Sequence, residues 1–411
     1  MRIAVSCKIS IILFIMSLSL NACTPSEKYL RSKNLSQPDQ QDNSTQNNPG
    51  KDNPTKDNPG KNNPIYVKIL IDIKDKNFKV TSVAGLRVIN KNDSKIIYES
   101  EKAGLSFDPS KIKSTYVIES DKNILNIDNT GYRGKFELHN VQGKIHVVNI
   151  LTIEEYLYSV VPSEMPATWN MEALKAQAIA SRTYAYHFLI RKDKDKNIYD
   201  LDSTTNFQVY KGISVETESS IEAVNSTCGI IMTFNNEPII SYFHSTSGGK
   251  TSDGKDVWSG ADHSYLKSVE CNYGKDSPHS EWTTTLSMDE ITQALNKKYN
   301  MIDTITKISF KRHNDRIVEV TVQHKNGTTV LSGNEFRLLL NPQRLKSTYF
   351  TLKKEKDVFY LNGKGWGHGV GMCQWGARGR GDNGLKYEEI LRHYYQGINF
   401  TKIDDNYVAQ K

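Results

Sequence analysis

Alternating apolar and polar residues predict short β-strands along the first part of the chain, after a polar stretch that ends near residue 64. The predicted strands cover 65–73, 78–83, 86–90, 95–100, 132–140 and 144–151. Val141, Gln142 and Gly143 separate the last two strands and predict a hairpin turn. Helical spacing follows, with one short helix before Pro162 and a second helix from the N-cap Asn170 to about Leu189.

The second half of the chain mixes both kinds of element. We predict helices over 217–226, 288–299, 333–341 and 387–395, and strands over 228–234, 238–249, 304–312, 316–323 and 328–331. The first two of these strands are predicted to form a hairpin joined by residues 235–237. No regular βαβ repeat is present, so the fold class is α+β. We expect one large domain with a cleft over 65–405, with a smaller α/β subdomain at 283–360 as an option.

Residues 1–22 have the pattern of an export signal. Arg2 and Lys8 precede a nearly continuous apolar run over 9–20, which is too short to span a bilayer comfortably. The run ends in Leu-Asn-Ala-Cys, similar to a bacterial lipobox, so we expect cleavage before Cys23 and a lipid on its thiol. A plain signal peptide and an uncleaved anchor are the alternatives. The protein is then an exported, membrane-anchored lipoprotein that faces the cell wall or periplasm.

Residues 23–64 are expected to form a disordered linker, because their Asn, Pro, Gly, Lys and Asp residues cannot bury enough apolar surface to fold. Such a linker holds a domain away from a membrane. The formal net charge of the chain is +7, which is too weak and too dispersed to favour a nucleic-acid partner.

Three widely spaced cysteines remain after the signal and Cys23, namely Cys228, Cys271 and Cys373. One disulfide and three free thiols are both compatible with the sequence, and no CxxC pair is present.

Glu164 is the leading candidate for a catalytic residue. It lies in Pro-Ser-Glu-Met-Pro, and the prolines at 162 and 166 predict a rigid turn because proline fixes φ and disfavours helix at the preceding residue. A carboxyl held between two buried helices is well placed to act as a general acid. The alternative is a glutamate that caps the next helix or lines a solvated loop.

Two later segments also carry polar side chains. The first, YFHSTSGGKT at 242–251, contains an adjacent His244–Ser245 pair, which on a strand would point to opposite faces and so disfavours a serine hydrolase. The second, GKGWGHGVGMCQWGARG at 363–379, has glycines at alternate positions, which indicate close backbone approach or positive φ. His368, within this segment, is either a functional or a structural histidine.

These two segments and EEYLYSVVPSEMPATWNMEALKAQAIASRTYA at 154–185 together resemble the stage II sporulation protein D (SpoIID/LytB) family in order, separation and wording. The resemblance covers about residues 65–402. It implies a peptidoglycan lytic transglycosylase that cleaves between N-acetylmuramic acid and N-acetylglucosamine without water, in cell-wall remodelling or sporulation. It also implies glycan strands, preferably without stem peptides, as the substrate.

The resemblance further assigns roles to individual residues. Glu164 is implied as the catalytic acid, Arg182 as a cleft residue, and Tyr265 and Tyr395 as cleft tyrosines, while Met165 and Trp169 are expected to raise the pKa of Glu164. Within the matching segments we expect four more side chains to bind substrate: Ser245, Ser247, His368 and Gln374.

The chemistry of such an enzyme needs one carboxyl, because the 6-hydroxyl of the sugar replaces the water that a second carboxylate activates in ordinary glycosidases. Some members of the family bind zinc just before a Gln-Val-Tyr sequence. Here that place holds Asn206 and Phe207, which are poor ligands, so we expect no metal and no cofactor. The alternative function is a non-catalytic peptidoglycan-binding protein that enhances an N-acetylmuramoyl-L-alanine amidase.

Overall fold

The computed structural model of this protein describes residues 64–403 apart from 102, 194–195, 206 and 300–303. The signal segment 1–22, the lipidation candidate Cys23 and the linker up to residue 63 lie outside the described residues. Within the part that is described, no helix is long and apolar enough to cross a membrane.

The strands and helices are numbered in chain order. The strands are β1 Tyr66–Lys74, β2 Phe78–Ser82, β3 Leu86–Asn90, β4 Ile96–Ser100, β5 Ala103–Phe107, β6 Tyr116–Glu119, β7 Ile124–Ile127, β8 Thr130–Arg133, β9 Lys135–Val141, β10 Lys144–Thr152, β11 Leu201–Asp202, β12 Ile230–Phe234, β13 Glu237–Pro238, β14 Phe243–His244, β15 Glu281–Ser287, β16 Ile305–His313, β17 Arg316–His324, β18 Gly327–Ser332, β19 Phe350–Glu355, β20 Val358–Lys364, β21 Met372–Cys373 and β22 Asn399–Lys402. The helices are α1 Ile153–Glu164, α2 Met171–Leu189, α3 Glu218–Ser226, α4 Met288–Tyr299, α5 Gly333–Leu339, α6 Gln374–Asp382 and α7 Tyr387–Tyr394.

The first half of the domain is built on two sheets. A seven-stranded sheet has the order β11-β1-β10-β9-β6-β3-β4, and a four-stranded sheet has the order β5-β2-β7-β8. The hairpin of β9 and β10 turns at Gln142 and Gly143, whose φ angles of 53° and 83° are both positive, as a two-residue turn with the twist of the strands requires. Thr152 ends β10 and caps α1 through a reciprocal bond with Glu155, so the sheet leads directly into the first helix.

Helix α2 is the centre of the main core. Its small side chains Ala173, Ala176, Ala180 and Ala185 are fully buried, which lets α1, α3, α6, α7 and β12 approach it closely. The main core runs from Val67 to Ile403 and includes strands from both sheets. Each Å² of apolar surface removed from water contributes about 25 cal/mol to the stability of the fold. The packing of α2 in the core therefore stabilises this helix more than its intrinsic helix propensity does.

The segment between β14 and β21 carries a second core. Trp282, Leu295, Val320, Phe336 and Phe350 belong to this cluster, which is separate from the main one. Its strands form two three-stranded sheets, with the orders β15-β20-β19 and β16-β17-β18, and α4 and α5 complete it. The short parallel pair β14–β21 closes this inserted segment at its base.

The structure confirms the α+β class, with strands and helices mixed along the chain. One predicted element was wrong. The strand expected over 238–249 is broken into β13 and β14, and β14 pairs with β21 rather than with β12. Pro238 has no N–H to extend the ladder, and the other edge of β12 is occupied by β22.

Helix α6 was not predicted, because three of its nine residues are glycines, which lower helix propensity. Close packing explains two of these glycines: a Cβ at Gly376 would lie 2.1 Å from the Tyr394 hydroxyl, and one at Gly379 would lie 2.3 Å from the Tyr273 carbonyl. The Cys373 thiol caps the helix by accepting the Gly376 N–H. Cys228, Cys271 and Cys373 are all free thiols.

Candidate functional site

Glu164 is the last residue of α1, not part of an isolated turn between two prolines as the sequence predicted. Pro162 lies inside the helix and lacks the N–H that would bond to the Tyr158 carbonyl. The Ser220 hydroxyl lies 3.3 Å from that carbonyl and 2.9 Å from the Thr217 carbonyl, so the two compete for its single proton. The helix then stops at Met165, whose backbone is extended and whose N–H still bonds to Val161. The helix therefore continues for two residues past Pro162 and ends at Glu164.

The carboxyl group of Glu164 is half-buried and held by the backbone. Its Oε1 accepts a 2.9 Å hydrogen bond from the Val209 N–H. Burial raises the pKa of Glu164 above its ordinary value of 4.5, while the Val209 bond and the charge of Lys211 act in the opposite direction. The direction of this shift is the one that a general acid requires. The expected neighbour Trp169 packs instead on Trp375.

Gln374 holds the backbone of Glu164. Its Nε2 donates to the Glu164 carbonyl at 3.0 Å and to the Gln177 side chain at 3.2 Å, and Gln177 in turn donates to Ser181. This buried chain of amides fixes the end of α1 against α2 and α6. The expectation that Gln374 binds substrate is corrected, because its amide nitrogen is used to position the carboxylate-bearing helix end.

A row of ring side chains, here called the aromatic wall, passes close to Glu164 at Tyr184. Its members are Phe207, Phe188, Tyr184, Tyr242, Trp258 and His368. Centroid distances between successive rings along this order are 5.4, 4.9, 6.2, 4.3 and 4.9 Å. Two residues of the wall, Tyr184 and Phe188, belong to α2. Burial is the largest cause of the raised pKa of the Tyr184 phenol, and the nearby charges of Tyr242, Asp202 and Glu164 raise it further.

Two members of the wall stack face to face on each other. The rings of Tyr242 and Trp258 stack at 4.3 Å with an interplanar angle of 24°, and both side chains are half-buried. Exposed faces of stacked aromatic rings suit the apolar faces of sugar rings, with polar groups at the ring edges. From Tyr184, the wall residue affected by the Glu164 charge, the row continues through Tyr242 and Trp258 to His368.

His368 lies at the far end of the wall and is neutral. Burial, with the nearby Arg337 charge, lowers the pKa of His368 to about 3. Its Nδ1 accepts from the Val370 N–H at 3.1 Å, so the proton of the neutral ring is on Nε2. Its position agrees with a substrate contact, which stays a prediction, and its low pKa excludes a role as general acid near neutral pH.

Arg182 does not lie in the cleft, and this expectation is corrected. The side chain is fully buried and its guanidinium pairs with Glu154, with Nε–Oε1 and Nη2–Oε2 distances of 2.9 and 2.6 Å. Glu154 is in the first turn of α1 and Glu164 in the last, about 15 Å apart along a helix with a rise of 1.5 Å per residue. Arg182 is therefore a structural residue, and it is absent from the charges that shift the pKa of Glu164.

The two tyrosines expected in the cleft are also internal. Tyr265 is buried, accepts the Ile240 N–H through its hydroxyl at 3.3 Å and stacks on His263. Tyr395 is fully buried, and its hydroxyl donates to the Tyr242 carbonyl at 2.6 Å and accepts from Met372. Neither presents a face to substrate, so both are corrected to framework residues. Tyr395 does support the wall, because it holds the backbone of Tyr242.

The hydroxyls of the segment at 242–251 serve mainly a turn. Ser247 is buried and its Oγ accepts the Gly249 N–H at 3.2 Å, so its expected substrate contact is corrected to a turn-stabilising role. Ser245 is half-buried and its Oγ lies 3.3 Å from that of Thr246, so its role in binding stays a prediction. His244 bonds through Nδ1 to the Val370 carbonyl, and no hydrogen bond with Ser245 is found among the described residues. This arrangement gives no support to a serine nucleophile.

The prediction that no zinc binds rests on Asn206 and Phe207, which occupy the place of the zinc ligands. Asn206 lies outside the described residues, and the ring of Phe207 belongs to the aromatic wall. Elsewhere in the described ranges, Asp253, Asp256 and His313 come together with candidate ligand atoms within 4.8 Å of one another. His313 already pairs with Asp256 at 2.7 Å, and Asp253 accepts the Ser268 N–H. These contacts join the hairpin β16–β17 to the loop before Val257, and the absence of a metal stays a prediction.

Sequence reasoning missed several parts of this site. The Val209 N–H could not be found, because a backbone donor leaves no residue-type signal. The aromatic residues of the wall are scattered from 184 to 368 in the sequence, and only the fold brings their rings together.

Known proteins are similar to this chain over the residues that contain Glu164. A family model described as stage II sporulation protein matches residues 141–234, which contain Glu164, and a domain of unknown function (DUF8618) matches residues 270–371. Stage II sporulation protein D of Bacillus subtilis (strain 168) is 36% identical over 281 residues, covering 64% of this chain and 79% of that protein. The chain belongs to the stage II sporulation protein D family. The resemblance found in the three sequence segments is thereby confirmed.

Other members of the stage II sporulation protein D family and related proteins show similar matches. An uncharacterized protein of Brachyspira hyodysenteriae (strain ATCC 49526 / WA1) is 38% identical over 259 residues, covering 62% of this chain and 68% of that protein. A protein named amidase enhancer from Bacillus subtilis (strain 168) is 30% identical over 295 residues, covering 60% of this chain and 40% of that protein. The second core of the present chain falls within the segment matched by the domain of unknown function.

Proposed function

We propose that this protein acts on the cell wall as a lytic transglycosylase that cleaves peptidoglycan glycan strands with Glu164 as its single acid and base. The observation that carries the proposal is the half-buried Glu164 carboxyl, with a raised pKa, close to Tyr184 of the aromatic wall. Membership of the stage II sporulation protein D family supports a role in the cell wall. The substrate is a strand of alternating N-acetylglucosamine and N-acetylmuramic acid, without stem peptides.

One carboxyl group is sufficient for both proton transfers of this reaction. Protonated Glu164 gives its proton to the oxygen between the two sugars, and the bond to C1 of N-acetylmuramic acid breaks. The carboxylate then takes the proton of the 6-hydroxyl of the same sugar as that oxygen bonds to C1. The products are a free 4-hydroxyl on one side and a 1,6-anhydro end on the other, and Glu164 is protonated again.

A second carboxylate allows a sharp test. Asp202 lies within electrostatic range of Tyr184, as Glu164 does, but its Oδ1 accepts from the Thr204 N–H at 2.8 Å and from the Thr204 hydroxyl. A hydrolase would need such a second carboxylate to activate water, whereas the proposed reaction does not. Incubation of the protein with denuded strands, followed by mass spectrometry, should give products lighter by one water than hydrolysis products. We expect Asp202→Asn to retain this activity. Reducing ends, or dependence on Asp202, would indicate a hydrolase instead.

The pH dependence of cleavage should follow the raised pKa of Glu164. Its carboxyl must be protonated to donate, so the rate is expected to fall as pH rises through a pKa that lies above the ordinary 4.5. The measurement is the rate of anhydro-product formation against pH at saturating substrate, with protein stability followed over the same range. An alkaline limb at or below pH 4.5 would contradict the assignment.

The competing function is enhancement of an amidase, which the relative named amidase enhancer favours. In that case the protein would bind peptidoglycan, form no anhydro products and increase the rate of an added N-acetylmuramoyl-L-alanine amidase. Substitution of Glu164 by Gln would leave that stimulation unchanged. The same reaction mixtures therefore separate the two functions.

We also propose that the protein is exported and anchored to the membrane by a lipid on Cys23, with residues 23–64 as a tether. The support is the sequence pattern of a short apolar run that ends in Leu-Asn-Ala-Cys. We expect Cys23→Ala to move the protein from the membrane fraction to the soluble fraction, measured by fractionation and by incorporation of labelled fatty acid. A control with Cys228→Ala should stay in the membrane fraction. Absence of labelled fatty acid from the wild-type protein would exclude the lipid anchor.

A further inference from the structure

Two cysteines meet at the base of the inserted segment. Cys271 lies before β15, near the start of that segment, and Cys373 lies in β21, which follows its end. The two thiols hydrogen-bond to each other. A Cβ at Gly274 would lie 3.6 Å from the Cys373 sulfur and 3.8 Å from the Cys271 sulfur, so the two atoms share their surroundings. We call Cys271 and Cys373 the cysteine pair.

Hydrogen-bond donors surround the sulfur atoms of the cysteine pair. The Cys373 sulfur accepts the Ser247 N–H and the Gly376 N–H, both at 3.3 Å. The Cys271 sulfur lies 3.2 Å from the Tyr394 hydroxyl. The hydrogen bond with Cys373 is the largest cause that lowers the pKa of Cys271 to about 6, against the opposite effect of burial. A sulfur that has lost its proton therefore suits this place, and disulfide sulfurs keep the lone pairs that accept these bonds.

The third thiol of the domain lies elsewhere. Cys228 is exposed in the turn between α3 and β12, and its thiol bonds to Glu154 of α1. Cys271 is 2% exposed and Cys373 is fully buried. The sequence left the partners of a disulfide open, and the fold brings one pair of sulfur atoms together.

We propose that Cys271 and Cys373 form a structural disulfide at the base of the inserted segment once the protein has been exported. This inference rests on the proposed export, because disulfides persist in oxidising compartments and are rare in the cytosol. It goes beyond the proposed cleavage of glycan, which needs no cysteine.

The oxidant is a second disulfide, either of low molecular weight or in a thiol oxidoreductase. The Cys271 thiolate attacks one sulfur of that disulfide, forms a mixed disulfide and releases the other sulfur as a thiolate. The Cys373 thiolate then attacks the Cys271 sulfur and releases the second thiolate. The cysteine pair thus loses two protons and two electrons, and the oxidant gains both electrons.

Burial of the cysteine pair determines when this exchange happens. Both sulfurs are out of reach of an oxidant in the folded protein, so the bond forms while the base of the inserted segment is still folding. After folding, the same burial protects the bond from reductants.

The bond would close a loop around the whole second core. All buried residues of that core, from Trp282 to Leu361, lie between the two cysteines in the sequence. A disulfide that closes a long loop restricts the unfolded chain strongly and so stabilises the fold. Cys373 also directly precedes Gln374, whose amide holds the Glu164 carbonyl, so the bond would fix α6 where it supports the carboxyl-bearing helix end.

Mapping of the thiols tests the pairing in two arms. In the first, the full-length protein is isolated from its own cells with N-ethylmaleimide present from lysis, unfolded in urea, digested without reductant and examined by mass spectrometry. In the second, reduced full-length protein is refolded from urea with oxidised and reduced glutathione and then treated in the same way. In both we expect a peptide that links Cys271 to Cys373, and alkylated Cys228.

Thermal unfolding tests what the bond does. We expect the linked protein to unfold at a temperature at least about 5 °C higher than Cys373→Ser, because of the long loop. Serine is a good N-cap, so this variant keeps an acceptor for the Gly376 N–H and loses the bond rather than the cap. Cys271→Ser and the double variant should unfold with Cys373→Ser, since either change removes the same bond. Cys228→Ser is the matched control and should unfold with the wild type.

Each outcome bears on a different part of the inference. Alkylation of both Cys271 and Cys373 in both arms would overturn the pairing. A link formed with glutathione but missing in cells would overturn the proposed export, and with it the bond in the cell. A linked protein that unfolds with Cys373→Ser would overturn the stabilising role. Cleavage by Glu164 is tested separately and depends on none of these results.

Discussion

Replacement of Glu164 by Gln is expected to lower the rate of glycan cleavage by about 10²- to 10⁴-fold, the range that positioned general acids contribute. The amide oxygen can still accept the Val209 N–H, so the side chain should keep its place at the end of α1. It cannot donate to the leaving oxygen or accept the 6-hydroxyl proton. The measurement is the rate of anhydro-product formation under saturating substrate, with KM expected to change little.

Stability provides the control for this variant. The pKa of Glu164 is raised in the folded state, so the ionised carboxylate destabilises the fold at pH above that pKa, and the contribution disappears as pH falls below the unfolded value. At neutral pH the Gln variant should therefore be at least as stable as the wild type. The difference should vanish on acidification. A less stable variant at neutral pH would show that lost activity reflects damage to the fold, and residual activity near that of the wild type would refute the acid–base role.

The sequence predicted most of the elements and the catalytic candidate, and the reason is local. Period-two alternation identified β9 and β10, and the Asn170 cap identified the start of α2, because these signals lie within a few residues of the element that they specify. Glu164 was found by the same kind of local signal, two prolines near a carboxylate. Even there, the backbone N–H of Val209 that holds the carboxyl group comes from 45 residues away, and no local pattern contains it.

Roles that depend on distant contacts could not be predicted. Arg182 was placed in the cleft because it follows Glu164 by 18 residues in a shared motif, yet the fold directs it to the opposite end of α1. Tyr265 and Tyr395 were expected to bind sugar, and the fold uses their hydroxyls to hold the backbone that carries the aromatic wall. A shared motif therefore identified residues important to the site without separating those that touch substrate from those that support it.

Arg182→Ala is expected to have the largest effect on stability. The guanidinium joins four elements: it pairs with Glu154 of α1, projects from α2, bonds to the Val224 carbonyl of α3 at 3.2 Å and bonds to the Ile230 carbonyl of β12 at 3.2 Å. Truncation would leave Glu154 without its cationic partner and would remove one donor from each of the two carbonyls. Breaking a buried ion pair on one side costs about 3–5 kcal/mol, so we expect a loss of that size in the free energy of unfolding, measured with urea and circular dichroism.

Two comparisons show whether this loss has the proposed cause. Arg191→Ala removes an exposed arginine from the end of the same helical segment, where it pairs with Glu237 at 3.5 Å, and should change stability by no more than about 0.5 kcal/mol. Glu154→Ala combined with Arg182→Ala should cost less than the sum of the two single substitutions, because each single variant leaves a buried group unpaired. If Arg182→Ala instead unfolded like the wild type and raised KM for glycan, the arginine would be a substrate ligand after all. The Arg182 side chain is fully buried and bonded to Glu154. We therefore expect the substitution to lower the free energy of unfolding and to leave KM unchanged.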